Sequence, residues 1–297
     1  MADTAFDTVT GPSVLWPSSL DEALSLLAVP DADTKALAGG QSLLVLLRFG
    51  LVAPETLVSL KHIAGLNRIA EGPDGELSIG AMVTQHNLAH DAVIRDRYPA
   101  LAEAAAAVAS PAVRRLGTIG GNLCHADPTG DPPAALIALG AEVEIASVRG
   151  RRRIPVEELF SDYMETVLQP DELLIALHLP SQVPGSAYLK HHVRGIDTAL
   201  VGVAVGLTLS GDGTTCHDAR IGLAGAGVTP LRAVEAESML REQPMNEATI
   251  NNAAEAAAFE CAPLDDTEAS EWYRREMVKV FVRRASMIAS DRARTRK

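Results

Sequence analysis

Arg115-Leu116-Gly117-Thr118-Ile119-Gly120-Gly121-Asn122-Leu123-Cys124-His125-Ala126-Asp127-Pro128-Thr129-Gly130-Asp131-Pro132-Pro133 is the stretch on which the reading of this chain turns. It is too polar and too rich in Gly and Pro to be core, yet apolar segments flank it closely. Glycine has no Cβ and reaches φ > 0 without strain, so the backbone here can come close to a bulky ligand. Thr118, Asn122 and Asp131 add side-chain hydrogen-bonding groups to a run of backbone N–H donors. That composition suits a loop that cradles a phosphorylated ligand. A counterpart lies upstream in Ala38-Gly39-Gly40-Gln41-Ser42-Leu43.

Taken together, the two Gly-Gly loops can present N–H groups to a pyrophosphate from two sides, with no positive side chain required. Neither is a G-x-G-x-x-G fingerprint nor a G-x-x-x-x-G-K-[ST] loop, so a dinucleotide held here sits on a non-Rossmann fold. Gly225-Ala226-Gly227 also follows an expected strand, but Pro230 stands where a third glycine belongs, and we read it as a tight connection.

Outward from these loops the pattern is mixed. Ser19-Leu20-Asp21-Glu22 has capping-box spacing and opens a helix through Leu24, Leu26 and Leu27. Strands are expected at Lys35–Ala38 and Thr56–Leu60, and the first turns of a helix at Leu43–Leu47, which makes residues 1–60 a small β-α-β-like lobe. Gly72-Pro73-Asp74-Gly75 is a hairpin turn between short strands. Helices are expected at Thr84–His90 and Ala100–Ala109, and another starts at Asp131-Pro132-Pro133, with Asp131 as N-cap. Ala141–Val148 and Leu173–Leu179 read as strands joined through a basic turn, Arg149–Arg153. After a linker at Pro180–Gly185, strands at Tyr188–His192, Ala199–Ser210 and Cys216–Leu223 precede helices at Asn246–Phe259 and Glu271–Ala289. The expected class is α+β: a two-lobed α/β domain over 1–180 (lobes 1–60 and 61–180), then an α+β domain over 186–290 with a three-stranded antiparallel sheet, and a basic tail at 291–297.

Composition narrows the function. The net charge of −12 argues against nucleic acid as the main partner. The exception is 271–297, with nine Lys/Arg against three Asp/Glu, read as a helix followed by a solvated tail. Met1–Thr10 is acidic without an apolar run, unlike a secretory leader, and no stretch has the ~18 consecutive apolar residues of a membrane span. Cys124, Cys216 and Cys261 are scattered, with no C-x-x-C pair, and are expected as reduced thiols of a cytoplasmic protein.

Ala38-Gly39-Gly40-Gln41-Ser42-Leu43 and Thr118-Ile119-Gly120-Gly121-Asn122, with Ala126-Asp127-Pro128 and Asp131 downstream, resemble the flavin-binding subunit of the molybdenum hydroxylases. This group includes the medium subunit of aerobic carbon monoxide dehydrogenase and the flavin domain of xanthine dehydrogenase. The resemblance covers nearly the whole chain, through Leu173-Leu174, Lys190, Arg194 and Asp197 to Tyr273-Arg274-Arg275 and Arg283-Arg284-Ala285. It implies an FAD-binding fold of PCMH type followed by a C-terminal α+β domain. The backbone at Gly39–Ser42 and Gly120–Asn122 would hold the pyrophosphate, Asp131 would bond ribityl or ribose hydroxyls, and Ile119 would lie near the isoalloxazine. Lys190 and Leu174 would line the flavin or adenine pocket. The resemblance also implies partners: a large subunit carrying a molybdenum–pterin cofactor and a small subunit with two 2Fe-2S clusters, assembled as a dimer of heterotrimers. The chain would then be an electron outlet that does not contact the hydroxylated substrate.

Other residues have plainer readings. Asp131 can cap a helix and bond a ligand at once. His125 is read as a loop histidine that satisfies backbone groups, ahead of a proton donor beside the flavin, and Cys124 as a small buried thiol. His191 and His192 face opposite ways on a strand, which removes them as a metal pair. Arg149, Arg151, Arg152 and Arg153 are read as a solvated hairpin tip, ahead of a docking surface. No nucleophile–base pair or metal-ligand spacing stands out, as expected where reactive chemistry belongs to a cofactor. A β-branched residue at Gly40 or Gly120 is expected to abolish cofactor retention by filling its space. Two rival functions are a stand-alone flavin oxidase or dehydrogenase and a nucleotide-binding module without turnover.

Overall fold

A computed structural model describes residues 11–295. The reading of Met1–Thr10 and the last two residues of the basic tail lie outside the described residues. Strands Ser13–Leu15, Thr34–Leu37 and Thr56–Ser59 form a parallel sheet with Thr56–Ser59 at its centre. Parallel neighbours need a crossover: helix Leu43–Arg48 lies between the paired strands Thr34–Leu37 and Thr56–Ser59, and the two outer strands are linked by helix Leu20–Leu27. The N-cap of helix Leu20–Leu27 forms as expected, Ser19 Oγ accepting from the Glu22 N–H, while Glu22 reaches back one residue further than a capping box requires, to the Ser18 N–H at 2.8 Å. Ala23, Leu24, Leu27 and Val58 pack across this lobe onto Ala146, Leu173 and Ile175 of the next.

The second lobe is a five-stranded antiparallel sheet in the order Ile69–Glu71, Leu77–Gly80, Leu173–Leu179, Glu142–Ser147, Gly150–Pro155. Between its second and fourth strands in that order the chain runs through short helices, among them Gln85–His90, Pro99–Ala107, Pro111–Leu116, Ile119–His125 and Asp131–Ala138. Leu88, Ile94, Tyr98, Ile119, Leu136 and Leu177 are among its fully buried core residues. The arginines of strand Gly150–Pro155 and the turn before it are exposed, as expected of a solvated hairpin, and they are also ion-paired. Arg151 pairs with Glu144, Arg152 with Glu172 and Arg153 with Glu76, while Arg149 just before the strand pairs with Asp171. Behind them His178 stands between Glu76 (2.9 Å) and Glu144 (2.8 Å). Strand pairing brings in acids that lie far off in sequence.

The C-terminal sheet has four antiparallel strands, Ser186–His191, Val201–Leu209, Cys216–Ala224 and Leu231–Arg232. The expected three are present. The fourth is two residues long, immediately after Pro230, and too short to leave a periodic signal. Helices Val234–Leu240, Glu247–Glu260 and Glu271–Thr295 cover one face through an apolar core containing Val203, Ile221, Ala254 and Val282. The last helix continues through the described part of the expected tail. There Arg292 donates to the Ser186 carbonyl and Arg294 to the Gly213 carbonyl.

The opposite face of this sheet meets helices Pro99–Ala107 and Asp131–Ala138 along a seam of Ala100, Ala104, Ala134, Ala135, Ala138, Ala204 and Ala224 around Tyr188. Small side chains let backbones touch. A Cβ on Gly206 would stand 2.4 Å from the Ala138 carbonyl oxygen, and one on Gly222 would stand 2.0 Å from that of Ala134. The connecting segment is pinned as well: Arg97 Nε donates to the Ser181 carbonyl at 2.7 Å, and the Val183 N–H donates to the Arg97 carbonyl at 3.0 Å. Among the described residues no helix is long and apolar enough to cross a membrane, and no group of three or more His, Cys, Asp or Glu is placed to hold a metal ion.

Candidate functional site

Strand Thr34–Leu37 runs directly into Ala38–Ser42, and helix Leu43–Arg48 leaves from the other side. Gly40 adopts φ +70°, the left-handed conformation that favours glycine. Among the described residues, the backbone N–H groups of Gly39, Gly40, Gln41 and Ser42 have no backbone or side-chain acceptor. These donors are half-buried and free, as a binding loop for an anionic group requires.

The second loop is built differently. Much of it is helix, Ile119–His125, with Thr118 as N-cap accepting from the Gly121 N–H at 3.1 Å. The Ile119 N–H donates to the Val83 carbonyl and the Gly120 N–H to that of Ala81, each at 2.9 Å, and the Asn122 N–H donates to the Thr118 carbonyl at 3.0 Å. The donors of Ile119–Asn122 are therefore spent inside the fold, contrary to the picture of two matching N–H cradles. A strongly glycine-rich helix start was hidden because Gly disfavours helix interiors. Gly120 is needed for packing: a Cβ there would meet Ala81 Cβ at 2.6 Å.

The two loops nevertheless meet. A Cβ on Gly39 would lie 2.0 Å from the Leu116 carbonyl oxygen and 3.0 Å from Gly117 Cα, and one on Gly121 would lie 3.5 Å from Ala38 Cβ. Gln41 lies against Gly117 and turns its own amide to the Gly39 carbonyl at 3.2 Å. At this junction Asn122 Oδ1 is buried without a hydrogen-bond partner. A buried amide oxygen left unpaired costs about 1–3 kcal/mol, and a ligand donor at this junction would pair it. Free N–H donors and an orphaned amide oxygen together fit a nucleotide cofactor carrying phosphates and hydroxyls.

The remaining expected site residues divide. Ile119 and Leu174 are both buried in the core of the second lobe. Asp131 and Lys190 come together across the seam, 2.9 Å apart, with side chains only 6% and 5% exposed. Asp131 is the first helical residue of Asp131–Ala138 and Gly130 is the N-cap, one position earlier than expected. Its carboxylate is turned away from its own helix: Oδ1 accepts from the Tyr188 hydroxyl and Oδ2 from Lys190 Nζ. Tyr188 was missed in the sequence. Its signal was strand alternation, which puts residues 188 and 190 on one face. Gln85, 1% exposed, was also missed; its Oε1 has no partner and its Nε2 lies 3.5 Å from the Thr118 carbonyl.

Cys124 is exposed rather than buried, yet desolvation by the protein around it pushes the thiol up to about 12. A thiol shifted that way supplies less thiolate than a free cysteine. Alkylation of Cys124 by iodoacetamide at pH 8 is expected to run on the order of 100-fold slower than that of a free cysteine, read by timed mass spectrometry. Labelling at the free-thiol rate would show an accessible thiolate instead.

Comparison with known proteins agrees with this geometry. Residues 6–182 match the family described as the FAD binding domain in molybdopterin dehydrogenase, and residues 186–289 match the CO dehydrogenase flavoprotein C-terminal domain. The chain is similar to the 6-hydroxypseudooxynicotine dehydrogenase complex subunit alpha of Paenarthrobacter nicotinovorans, 36% identical over 100% of this chain and 98% of that protein. It is 35% identical to the carbon monoxide dehydrogenase medium chain of Afipia carboxidovorans, over 94% of this chain and 96% of that one. A solved structure of carbon monoxide dehydrogenase from Hydrogenophaga pseudoflava superposes with a TM-score of 0.91 at 34% identity, covering 95% of this chain and 98% of that chain. Both parts of the fold are thus matched over nearly their whole length, and the chain is a member of the FAD-binding subunits of the molybdenum hydroxylases, a family of oxidoreductases.

Proposed function

We propose that this chain binds one FAD at the junction of Ala38–Leu43 with Leu116–Asn122 and serves as the electron outlet of a multi-subunit molybdenum hydroxylase. The observation that carries the reading is the orphaned Asn122 Oδ1 beside the free N–H donors of Gly39–Ser42. Those donors would take the pyrophosphate, and Asn122 would accept from the cofactor. Asp131 would accept from a hydroxyl, since a carboxylate has about four acceptor sites and two are filled here. Ile119 and Leu174, from the core beneath, would set the apolar floor. FAD held there supplies the exchange between single electrons from iron–sulfur centres and the electron pairs an external acceptor takes.

On this reading the flavin part extends to about residue 180 and the C-terminal part begins at 186. The partners are a large chain with a molybdenum–pterin cofactor and a small chain with two 2Fe-2S clusters, joined as a dimer of heterotrimers in the cytoplasm. The curated relatives are named as medium chains or complex subunits, which supports such an assembly. The native chain is expected to purify yellow, to release FAD on denaturation, and to bring with it a molybdenum-bearing and an iron–sulfur chain. A colourless preparation that also rejects added FAD ends the flavin reading. A yellow chain that purifies alone and turns over its own substrate points to a stand-alone oxidase.

A further inference from the structure

In the seam between the flavin part and the C-terminal sheet, Asp131, Tyr188 and Lys190 form a buried polar cluster walled by alanines. Asp131 comes from the flavin side, at the first turn of helix Asp131–Ala138. Tyr188 and Lys190 come from strand Ser186–His191, two residues apart and therefore on one face. Lys190 Nζ donates to Asp131 Oδ2 at 2.9 Å and to the Ala107 carbonyl at 3.0 Å, so two of its three donors are committed within the protein. The sheet is shaped around the tyrosine: a Cβ on Gly202 would stand 2.5 Å from the Tyr188 hydroxyl oxygen.

We infer that Tyr188 and Lys190 are positioning residues, which act on the cofactor only by holding the Asp131 carboxylate ionised and in one rotamer. This rests on the flavin reading above and changes one part of it: Lys190 serves as the counter-ion of a ligand, not as a ligand. The C-terminal sheet then has a definite task at the flavin site. Burial pushes the Asp131 carboxyl upward, and the Lys190 charge and the Tyr188 hydroxyl oppose that rise. Asp127, from the loop before the helix, adds to the rise. Helix Pro99–Ala107 offers the cluster only its Ala107 carbonyl, because its one charged residue, Glu103, is held by Arg292 and the Tyr188 N–H. Lys190 is thus the one cation in hydrogen-bond contact with Asp131 among the described residues.

The full chain, stripped of FAD and titrated with it between pH 6 and 9, tests this with four variants: Tyr188→Phe, Lys190→Met, Asp131→Asn and the Lys190→Met/Asp131→Asn double. Tyr188→Phe and Lys190→Met are each expected to weaken FAD binding at pH 7 by about 10-fold or more, as the loss of one hydrogen bond to a buried charge implies. In the double variant the loss should not exceed that of Asp131→Asn alone, because Lys190 has no route to the cofactor except Asp131. If the two single losses multiply, Lys190 touches the flavin itself and the inference fails. In Lys190→Met the affinity should fall more steeply than in the parent chain as pH drops from 9 to 6, since burial of the carboxyl is then unopposed by the Lys190 charge. A profile no steeper than the parent's likewise overturns the assignment, and a purely structural lysine would lower the melting temperature without that added slope.

Infrared spectra of the flavin-free chain supply a readout independent of FAD. At pH 7 Lys190→Met should show a protonated-carboxyl C=O band that is absent from both the parent chain and the double variant. Without that band the charge-holding role is wrong, whatever FAD does. A parent chain that takes up no FAD would sink the flavin reading instead, and the band would still decide the charge assignment.

Discussion

Replacing Gly39 by alanine is expected to cost the chain its flavin and to leave most of its fold standing. The added Cβ would lie 2.0 Å from the Leu116 carbonyl oxygen, 2.8 Å from its carbon and 3.0 Å from Gly117 Cα. All three are backbone atoms, so no side chain can swing aside, and the two loops must part by an ångström or more. Overpacking of this kind costs about 1–3 kcal/mol. It falls on a lobe edge that is only half-buried, so the five-stranded sheet and the C-terminal part should keep their cores. Binding bears the larger share, because the free donors of Gly39–Ser42 and the Asn122 oxygen must act on one ligand from fixed positions. A loss of about 100-fold or more in FAD affinity corresponds to ~2.7 kcal/mol, within reach of one misplaced set of hydrogen bonds.

The contrast is Gly120→Ala. Its Cβ would strike Ala81, with the Cβ at 2.6 Å and the carbonyl oxygen at 2.9 Å, inside the second-lobe core. That variant should lower the melting temperature as well as the flavin content. Within the protein itself a Cβ on Gly120 meets Ala81 and one on Gly40 meets Leu44, and at Gly40 the φ of +70° adds the backbone penalty expected from sequence. The flavin-to-protein absorbance ratio of the two purified variants, beside their melting curves, checks both statements. Full FAD occupancy in Gly39→Ala would show that the contact between the loops is irrelevant to binding.

What could be read from the chain, and what could not, follows the range of the signals. Local chemistry was legible: the Ser19 cap, the Gly72–Gly75 turn, the strand Leu173–Leu179 and the free loop after Thr34–Leu37 depend on neighbours a few residues away. The loop pair itself was legible because glycines at close approach leave a mark in composition. Three things were not. Thr118 caps a helix whose glycines argue against any helix, and only the backbone of Ala81 and Val83 explains them. The arginines of Gly150–Pro155 find acids as far off as Glu76, and strand order decides such pairs. Tyr188 becomes visible only once the seam puts it against Asp131, which lies 57 positions earlier.

That seam carries the second large effect. Gly222→Ala is expected to loosen the C-terminal sheet from the flavin part and, through it, to release FAD, although Gly222 touches neither glycine loop. Its Cβ would stand 2.0 Å from the Ala134 carbonyl oxygen and 2.9 Å from the Ala134 carbonyl carbon, so strand and helix must separate along a face otherwise lined with alanines. The cost is again about 1–3 kcal/mol, enough to lower an unfolding midpoint by roughly 2–5 °C in a chain of this size. The same helix begins with Asp131, and its partners Tyr188 and Lys190 stand on the opposite side of the seam. Any parting large enough to admit a methyl group lengthens both bonds to the carboxylate and lets water reach it. Flavin loss should therefore accompany the lower midpoint. Trypsin should also begin to cut near Arg97, where the Ser181 and Val183 contacts now pin the connection between the two parts. A Gly222→Ala chain that melts lower yet holds FAD as tightly as the parent would separate the seam from the site. Asp131 would then be positioned by its own helix alone.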